Sequence, residues 1–248
     1  MPKSPRPEKP PENPNAGHRA RLRKKFLEFG PGALFDYELL ELLLTLGIPV
    51  KNCKPMAKQA IERFKGLRGV FEATPQELRE IDGIGEVNSM SVSLVRELSA
   101  RYLEAKVRDL PDLTSSSAVY GYLHMAMSAL KTEVFKVLFL DSQNRLRESQ
   151  DLFKGTINAS AVFSREVVAA AIKHNATALI FVHNHPSGNP TPSQADKNIT
   201  RELVMAATTV DIKVLDHIII GGDRYFSFAS EGLMAAYTAD VNRLKGKS

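Results

Sequence analysis

Apolar residues recur at helical spacing through the first part of the chain and form strand-like runs in the second part. Five segments place apolar side chains three and four residues apart and are separated by turns that contain glycine or proline. The predicted helices cover residues 19–29, 36–46, 55–64, 75–81 and 87–103. This pattern indicates a small all-helical domain over residues 18–106.

From residue 118 onward the pattern alternates between helix and strand. Predicted helices cover residues 118–130, 165–174 and 193–208. Predicted strands cover residues 134–140, a segment that reaches 153, 178–182, 213–220 and 225–228. Turns are expected at 141–144 and at Gly221-Gly222-Asp223. The alternation predicts an α/β domain over residues 118–248, with a mixed sheet covered by helices.

Two stretches lack this regularity. Residues 1–17 are rich in proline, lysine, glutamate and asparagine and show no apolar periodicity, which predicts a disordered tail. Residues 107–117 contain Pro111 and three consecutive serines, which is typical of a linker that also caps the next helix. The chain is therefore expected to contain a tail, a helical domain, a linker and an α/β domain.

Charge is concentrated at the beginning of the chain. The formal net charge is +5, and residues 1–30 hold eight basic residues against three acidic ones, which leaves 25 of each in the remainder. The eight are Lys3, Arg6, Lys9, Arg19, Arg21, Arg23, Lys24 and Lys25. A local basic arm allows electrostatic contact with nucleic acid or another polyanion, although a solvated tail is an equal alternative for its proline-rich part.

The cysteine count and the distribution of apolar residues limit the expected cellular location and the type of metal site. Cys53 is the single cysteine, so no disulfide within the chain is expected and a cysteine-rich zinc site is excluded. The N-terminal stretch has no apolar segment of the kind found in signal peptides, and no later apolar run approaches the ~20 residues of a membrane span. We therefore expect a cytoplasmic protein that does not contact the membrane.

The stretch HNHPSGNPTPSQAD, residues 183–196, collects candidate metal ligands. His183 and His185 end a predicted buried strand, and residues two apart on a strand face the same side. Ser193 and Asp196 lie three apart at the start of a predicted helix. Two imidazoles and one carboxylate suit a catalytic zinc ion, which keeps a fourth position for water. The plainer alternative is that Ser193 only caps the helix and that Asp196 interacts with its positive end.

The sequence from 78 to 85, LREIDGIG, resembles a helix-hairpin-helix motif, whose turn presents backbone N–H groups to a phosphate. Gly83 and Gly85 are expected to supply unusual dihedral angles, and Ile84 is expected to fill the core. Acidic residues beside the turn, Asp82 and Glu86, repel phosphate and leave protein docking as the alternative. The basic cluster near the beginning of the chain supplies further candidate nucleic-acid contacts: Arg19, Arg21, Arg23, Lys24 and Lys25.

The chain contains a pattern that resembles the JAMM (MPN+) metalloprotease motif. The pattern is a glutamate followed, further along, by His-x-His, seven residues, Ser, two residues and Asp. The segments HNHPSG and PSQAD are similar to the bacterial RadC-type branch of that family. The resemblance covers nearly the whole chain, from the basic cluster and the hairpin to Phe228. It implies a JAB/MPN fold, with layering like that of cytidine deaminases, behind a helix-hairpin-helix domain.

The resemblance also assigns roles to residues. It implies that one zinc ion is held by His183, His185 and Asp196 and that Glu133 acts as the acid and base that orients the water. Ser193 would donate a hydrogen bond to the developing oxyanion. The implied activity is cleavage of peptide or isopeptide bonds in an unknown protein or peptide substrate.

Alternatives remain for both residues and function. Glu166 is the main rival of Glu133, but it begins a predicted helix, where a carboxylate is expected for electrostatic reasons alone. His217 lies in an apolar strand and is either a core histidine or a residue that orients a ligand. A DNA repair or recombination accessory protein with a structural or inactive metal site is the alternative function. A nuclease ranks last, because a single-ion site with one carboxylate clamps a phosphodiester less well than paired metals.

Overall fold

The computed structural model describes residues 16–48, 51–113, 115–155 and 163–245, and the chain divides into two compact units after Arg96. The predicted tail lies outside the described residues except at its end, where the first helix begins at Ala16. The first unit is helical. Its helices are α1 (Ala16–Phe29), α2 (Asp36–Gly47), α3 (Lys54–Arg63), α4 (Leu67–Glu72), α5 (Pro75–Arg79) and α6 (Glu86–Arg108), which continues into the second unit.

The helical unit has its own apolar core. Leu44, Ala57, Leu78 and Ile81 are each fully buried, and Ile84 of the hairpin is buried with them as expected. Helix α5 begins with reciprocal hydrogen bonds between Thr74 and Glu77, a capping box that satisfies two backbone donors.

The second unit is a five-stranded mixed sheet with helices on both faces. Its helices are α7 (Ser116–Met127), α8 (Ser164–Lys173), α9 (Gln194–Thr209) and α10 (Leu233–Leu244). Its strands are β1 (Val134–Leu140), β2 (Leu146–Lys154), β3 (Ala178–Asn184), β4 (Lys213–Gly221) and β5 (Arg224–Ser227). The strand order is β2-β1-β3-β4-β5; β3 and β4 are parallel, and the other three neighbouring pairs are antiparallel. The predicted mixed sheet after an all-helical region is confirmed.

Alternate residues of the central strands pack on opposite faces of the sheet. Leu138 and Val182 face a core completed by α7, whereas Phe135 and Phe181 face a core completed by α8 and α9. Both faces are covered, which is why β1 and β3 are almost continuously apolar. Because His183 follows Phe181 by two residues, it lies on the face covered by α9.

Several element boundaries differ from those predicted. Helix α6 continues to Arg108 through residues with good helix propensity, so the predicted linker at 107–117 begins inside a helix. The compact units divide within α6 rather than at the predicted boundary after residue 106. Helices α4 and α10 were not predicted. No helix among the described residues is long and apolar enough to cross a membrane.

Candidate metal centre

His183 and His185 stand at the end of β3, in the middle of the sheet. Phe135 on β1 lies opposite His183 on one side, and Ile219 on β4 lies opposite it on the other. His183 is fully buried, and the side chain of His185, just beyond the strand, is 14% exposed. The backbone N–H of His185 donates to the carbonyl of Ile220 at 2.8 Å, so the chain is still held against β4 where the strand ends.

Asp196 joins the histidines from the first turn of α9. Ser193 is the N-cap of this helix: its Oγ accepts from the Asp196 N–H at 3.1 Å and donates to Asp196 Oδ2 at 2.6 Å. The Nε2 atoms of His183 and His185 lie 3.3 and 3.5 Å from the two carboxylate oxygens and 3.0 Å from each other. The structure therefore brings together the three predicted metal ligands, whose ligand atoms all lie within 4.8 Å of one another.

A chain of hydrogen bonds fixes the protons on the buried imidazoles. Thr200 Oγ1 contacts the carbonyl oxygen of Asp196, which only accepts, so the hydroxyl proton points there. His217 Nδ1, 2.6 Å from the same Oγ1, must then be the donor. Burial keeps the pKa of His217 well below its usual value, so its Nε2 is unprotonated and accepts a hydrogen bond from His183 Nδ1 at 2.8 Å. This leaves a lone pair on His183 Nε2.

The second histidine presents the same kind of atom. His185 Nδ1 lies 2.7 Å from the carbonyl of Asn189 and donates to it, so Nε2 of a neutral His185 also carries a lone pair. Both Nε2 atoms and both Asp196 oxygens then converge as acceptors on one small volume. Such an arrangement requires a positive charge among these atoms, either a proton on His185 or a bound cation.

The pKa values of these groups follow from the same contacts. Burial lowers the pKa of His183, and the hydrogen bond that a protonated His183 would donate to Asp196 opposes this effect. The hydrogen bond to Asp196 raises the pKa of His185 and outweighs burial. Burial of Asp196 disfavours its charge, but the hydrogen bonds that His183 and His185 donate when protonated outweigh burial and hold the pKa of this carboxyl well below its usual range. The carboxylate is therefore ionised and suited to a cation.

Glu133 immediately precedes β1 and is partly buried. Continuing the register in which Phe135 lies opposite His183 places Glu133 opposite His185, on the face that carries both histidines. Its negative charge acts on both imidazoles, although more weakly than Asp196 does. Glu166, its rival, lies in the first turn of α8, as the helix-start interpretation predicts.

The loop between β3 and α9 packs closely on the last residue of β4. A Cβ atom added to Gly221 would lie 2.5 Å from the backbone nitrogen of Pro190 and 2.7 Å from the carbonyl carbon of Asn189. Because the carbonyl of Asn189 accepts a hydrogen bond from His185 Nδ1, a side chain at position 221 would disturb this candidate ligand. Only glycine fits this contact without movement of the loop.

The hairpin of the helical unit differs from expectation at one of its glycines. Gly83 has a φ of +88°, and a Cβ atom there would lie 2.6 Å from the terminal carbon of Met56. Gly85 does not have the positive φ that was expected of it, because it directly precedes α6 and its carbonyl accepts from the Ser89 N–H of that helix. The conformational argument for glycine therefore holds at Gly83 alone.

Two of the five basic candidates are held by contacts within the unit. Arg19 is 7% exposed and donates to the carbonyl of Lys51, so it serves the core rather than a ligand surface. Lys25 pairs with Glu38 at 2.7 Å. Sequence alone did not reveal these partners, because both lie across turns from α1.

The other three basic candidates, Arg21, Arg23 and Lys24, are exposed on α1. Lys24 lies 3.6 Å from Glu28 in an ion pair along the helix. Surface pairs of this kind are weak, so the lysine remains accessible to a polyanion.

Known proteins match both parts of the chain. Residues 15–90 match the UPF0758 N-terminal family, and residues 113–233 match the family described as RadC-like JAB domain. The chain belongs to the RadC-like UPF0758 family. A UPF0758 protein of Pseudoalteromonas translucida is 47% identical over 86% of this chain and 96% of its own length. Relatives in Rhodobacter capsulatus and a Polaromonas species are 41% and 40% identical over 86% and 87% of this chain, and over 100% and 96% of their own lengths.

Family membership accounts for the arrangement of the second unit. The RadC-like JAB match spans every strand of the mixed sheet and includes Glu133 and the residues from His183 to Asp196. The N-terminal match ends at residue 90, inside α6. The fold expected from the sequence, a JAB domain after an all-helical domain, is thus confirmed.

Sequence reasoning did not identify one polar residue that supports the site. Thr200 lies one helical turn after Asp196 and accepts a hydrogen bond from His217. For Thr200 the signal was available: it follows Asp196 by four residues and therefore shares its face of α9.

Proposed function

We propose that this protein is a zinc-dependent hydrolase of the JAMM type that cleaves peptide or isopeptide bonds. The observation that carries the proposal is the convergence of acceptors only, His183 Nε2, His185 Nε2 and the Asp196 carboxylate, with the tautomer of His183 set by Thr200 and His217. Histidine nitrogen and carboxylate oxygen are ligands that zinc favours, and three protein ligands are typical of its catalytic sites. A zinc ion held there would supply Lewis-acid polarisation of a carbonyl group and of a water molecule.

Other residues supply the proton chemistry. Glu133, on the same face as both histidines, accepts a proton from the attacking water and delivers it to the departing amine. In this structure the hydroxyl of Ser193 donates to Asp196 Oδ2, so it orients a ligand. Its donation to an oxyanion remains a prediction, and it requires the hydroxyl to turn from Asp196 toward the substrate.

Zinc analysis tests the metal part of the proposal. The purified protein is expected to hold about one zinc ion per chain. The substitutions His183→Ala and Asp196→Ala should remove it, because each deletes a ligand, whereas Glu133→Gln should retain it. His174→Ala is a matched control, since this histidine is hydrogen-bonded to Gln150 outside the cluster. Zinc loss in the control as well, or no zinc in the parent protein, would refute the metal site.

Activity is tested on a library of peptides with α-linked and isopeptide-linked bonds, read by mass spectrometry. The zinc-loaded protein should cleave members of the library, and Glu133→Gln should bind zinc but release no product. If Glu133→Gln cleaves at the parent rate, this glutamate is not the base. If no member is cleaved while zinc is bound, the centre is structural, and a nucleic-acid accessory role replaces the hydrolase.

A nucleic-acid accessory role is the second candidate, and the observation that favours it is the exposure of Arg21, Arg23 and Lys24 along α1. Phosphate contacts of this kind are independent of base sequence and weaken steeply with salt. The role is compatible with the zinc site and would tether the hydrolase to nucleic acid. We include in the proposal the cytoplasmic location expected from the single cysteine.

A further inference from the structure

We propose that Asn184 is a positioning residue whose side chain fixes the place of Glu133. The inference rests on the proposed function, because that function is what makes the position of Glu133 matter. Asn184 lies between the two candidate histidine ligands on β3 and is 2% exposed. Since side chains alternate along a strand, it points to the opposite face of the sheet and takes no part in the metal centre.

All three hydrogen bonds of the Asn184 carboxamide go to the segment that contains Glu133. Its Oδ1 accepts from the Val134 N–H at 2.9 Å. Its Nδ2 donates to the carbonyl of Thr132 at 3.1 Å and to that of Leu130 at 3.4 Å. The peptide groups on both sides of Glu133 are therefore held by one side chain.

These bonds replace the backbone ladder where it stops. The pairing of β1 with β3 extends to Phe135 opposite His183, and beyond it the N–H of His185 is used by Ile220 of β4. The carbonyl of Glu133 accepts from the Gly155 N–H on the other side at 2.9 Å. The Asn184 side chain thus makes the hydrogen bonds that the backbone of β3 no longer makes at this point. It holds the backbone of the residue before Glu133 and of the residue after it.

The chemistry of the contact selects asparagine. The segment offers one donor, at Val134, and two acceptors, at Thr132 and Leu130. A carboxamide has both an acceptor oxygen and two donor hydrogens, whereas aspartate would set its charge against two carbonyl oxygens and serine has a single proton to donate. Asn184 therefore separates the two candidate histidine ligands on β3 and also links this strand to the segment that carries Glu133.

The test uses the full chain with Asn184→Ala and Asn184→Ser, the second as the smaller perturbation if the first fails to fold. The matched control is Asn88→Ala, another asparagine that is 2% exposed, in the helical unit, whose Oδ1 has no hydrogen-bond partner among the described residues. Amide hydrogen exchange should accelerate roughly five- to tenfold at Val134 in both Asn184 variants, since one hydrogen bond contributes about that factor. Zinc affinity, measured by competition with a chelating dye, should not change.

A second readout separates positioning from mere stability. The visible absorption of the cobalt-loaded protein is followed against pH, and Glu133→Gln is expected to shift this profile. Asn184→Ser should shift it in the same direction, and adding Asn184→Ser to Glu133→Gln should produce no further shift, because both changes act through one carboxylate. An additive shift, or a profile like that of the parent protein, would overturn the inference.

The two proposals fail in different ways. If the parent protein binds neither zinc nor cobalt, the proposed function fails, while exchange at Val134 still decides whether Asn184 fixes the segment. If metal binds and Glu133→Gln shifts the profile, but Val134 exchanges at the parent rate in Asn184→Ser, only the role of Asn184 is refuted.

Discussion

Replacing Thr200 by valine tests the hydrogen-bond chain that prepares His183 for a metal. The two side chains have nearly the same shape, so packing at this fully buried position is retained while the hydroxyl is lost. The Nδ1–H of His217 then has no acceptor, and an unsatisfied buried donor costs about 1–3 kcal/mol. At about 2 kcal/mol, the melting temperature of a domain of this size falls by roughly 4–8 °C.

The same change affects metal binding through the tautomer. Without Thr200, His217 is free to carry its proton on Nε2 and donate it to His183 Nδ1, which moves the proton of His183 onto Nε2, the ligand atom. Loss of a residue that orients a ligand typically lowers metal affinity about 10–100-fold. We expect a decrease of that size in zinc affinity, although His183, His185 and Asp196 are all present.

The assay combines calorimetry of the metal-free protein with zinc competition against a chelating dye. The matched control is Thr209→Val on the same helix, whose hydroxyl also donates to a carbonyl four residues earlier, at 2.8 Å, but contacts solvent rather than a histidine. Thr209→Val should leave both measurements nearly unchanged. Parent zinc affinity in Thr200→Val would refute the proton assignment, and equal losses in both variants would show that the effect belongs to helix α9.

Two further predictions concern other parts of the chain. Gly221→Ala should lower both the stability and the zinc affinity, because its Cβ would meet the backbone of the loop between β3 and α9. Gly121→Ala is the control: it lies in a helix with open space around it and should raise the free energy of unfolding by up to about 1 kcal/mol. Calorimetry and zinc competition measure both effects, and two neutral substitutions would contradict the packing argument. Arg21→Glu with Arg23→Glu should weaken DNA binding in a fluorescence anisotropy titration and reduce its salt dependence, since both residues are exposed. The corresponding change at Arg19 should instead lower the melting temperature of the helical unit, and undiminished DNA binding by the double variant would exclude α1 as the contact surface.

The predictions from sequence succeeded where one local rule dominates. Strand β1 was predicted with the bounds that the structure shows, because a strand buried on both faces is continuously apolar and ends at polar residues. The start of α9 followed from the spacing of Ser193 and Asp196, which form the capping box anticipated as the plainer interpretation. The cluster of His183, His185 and Asp196 is similarly local, since it needs only a strand, a short loop and a helix.

Other features depend on contacts that no local pattern records. Helix α10 is an exception, because its buried residues Met234, Tyr237 and Val241 recur at helical spacing and the helix was nevertheless missed. The bonds of Asn184 span 50 residues and more, and that between Thr200 and His217 joins α9 to β4. The burial of the Arg19 side chain depends on its hydrogen bond to the carbonyl of Lys51, which is 32 residues away in the chain. A single sequence shows which residues are polar, but not which buried partner satisfies each of them.

The residues around the candidate metal lie on four separate elements: Glu133 before β1, the histidines at the end of β3, Asp196 on α9 and His217 on β4. An unfolded chain offers a metal ion little more than the pair His183 and His185, so nearly all of the binding free energy appears only once the sheet has closed. Zinc at 100 times its dissociation constant would then add about 2.7 kcal/mol to the free energy of unfolding. The thermal stability of the JAB domain would therefore report how much free zinc surrounds it.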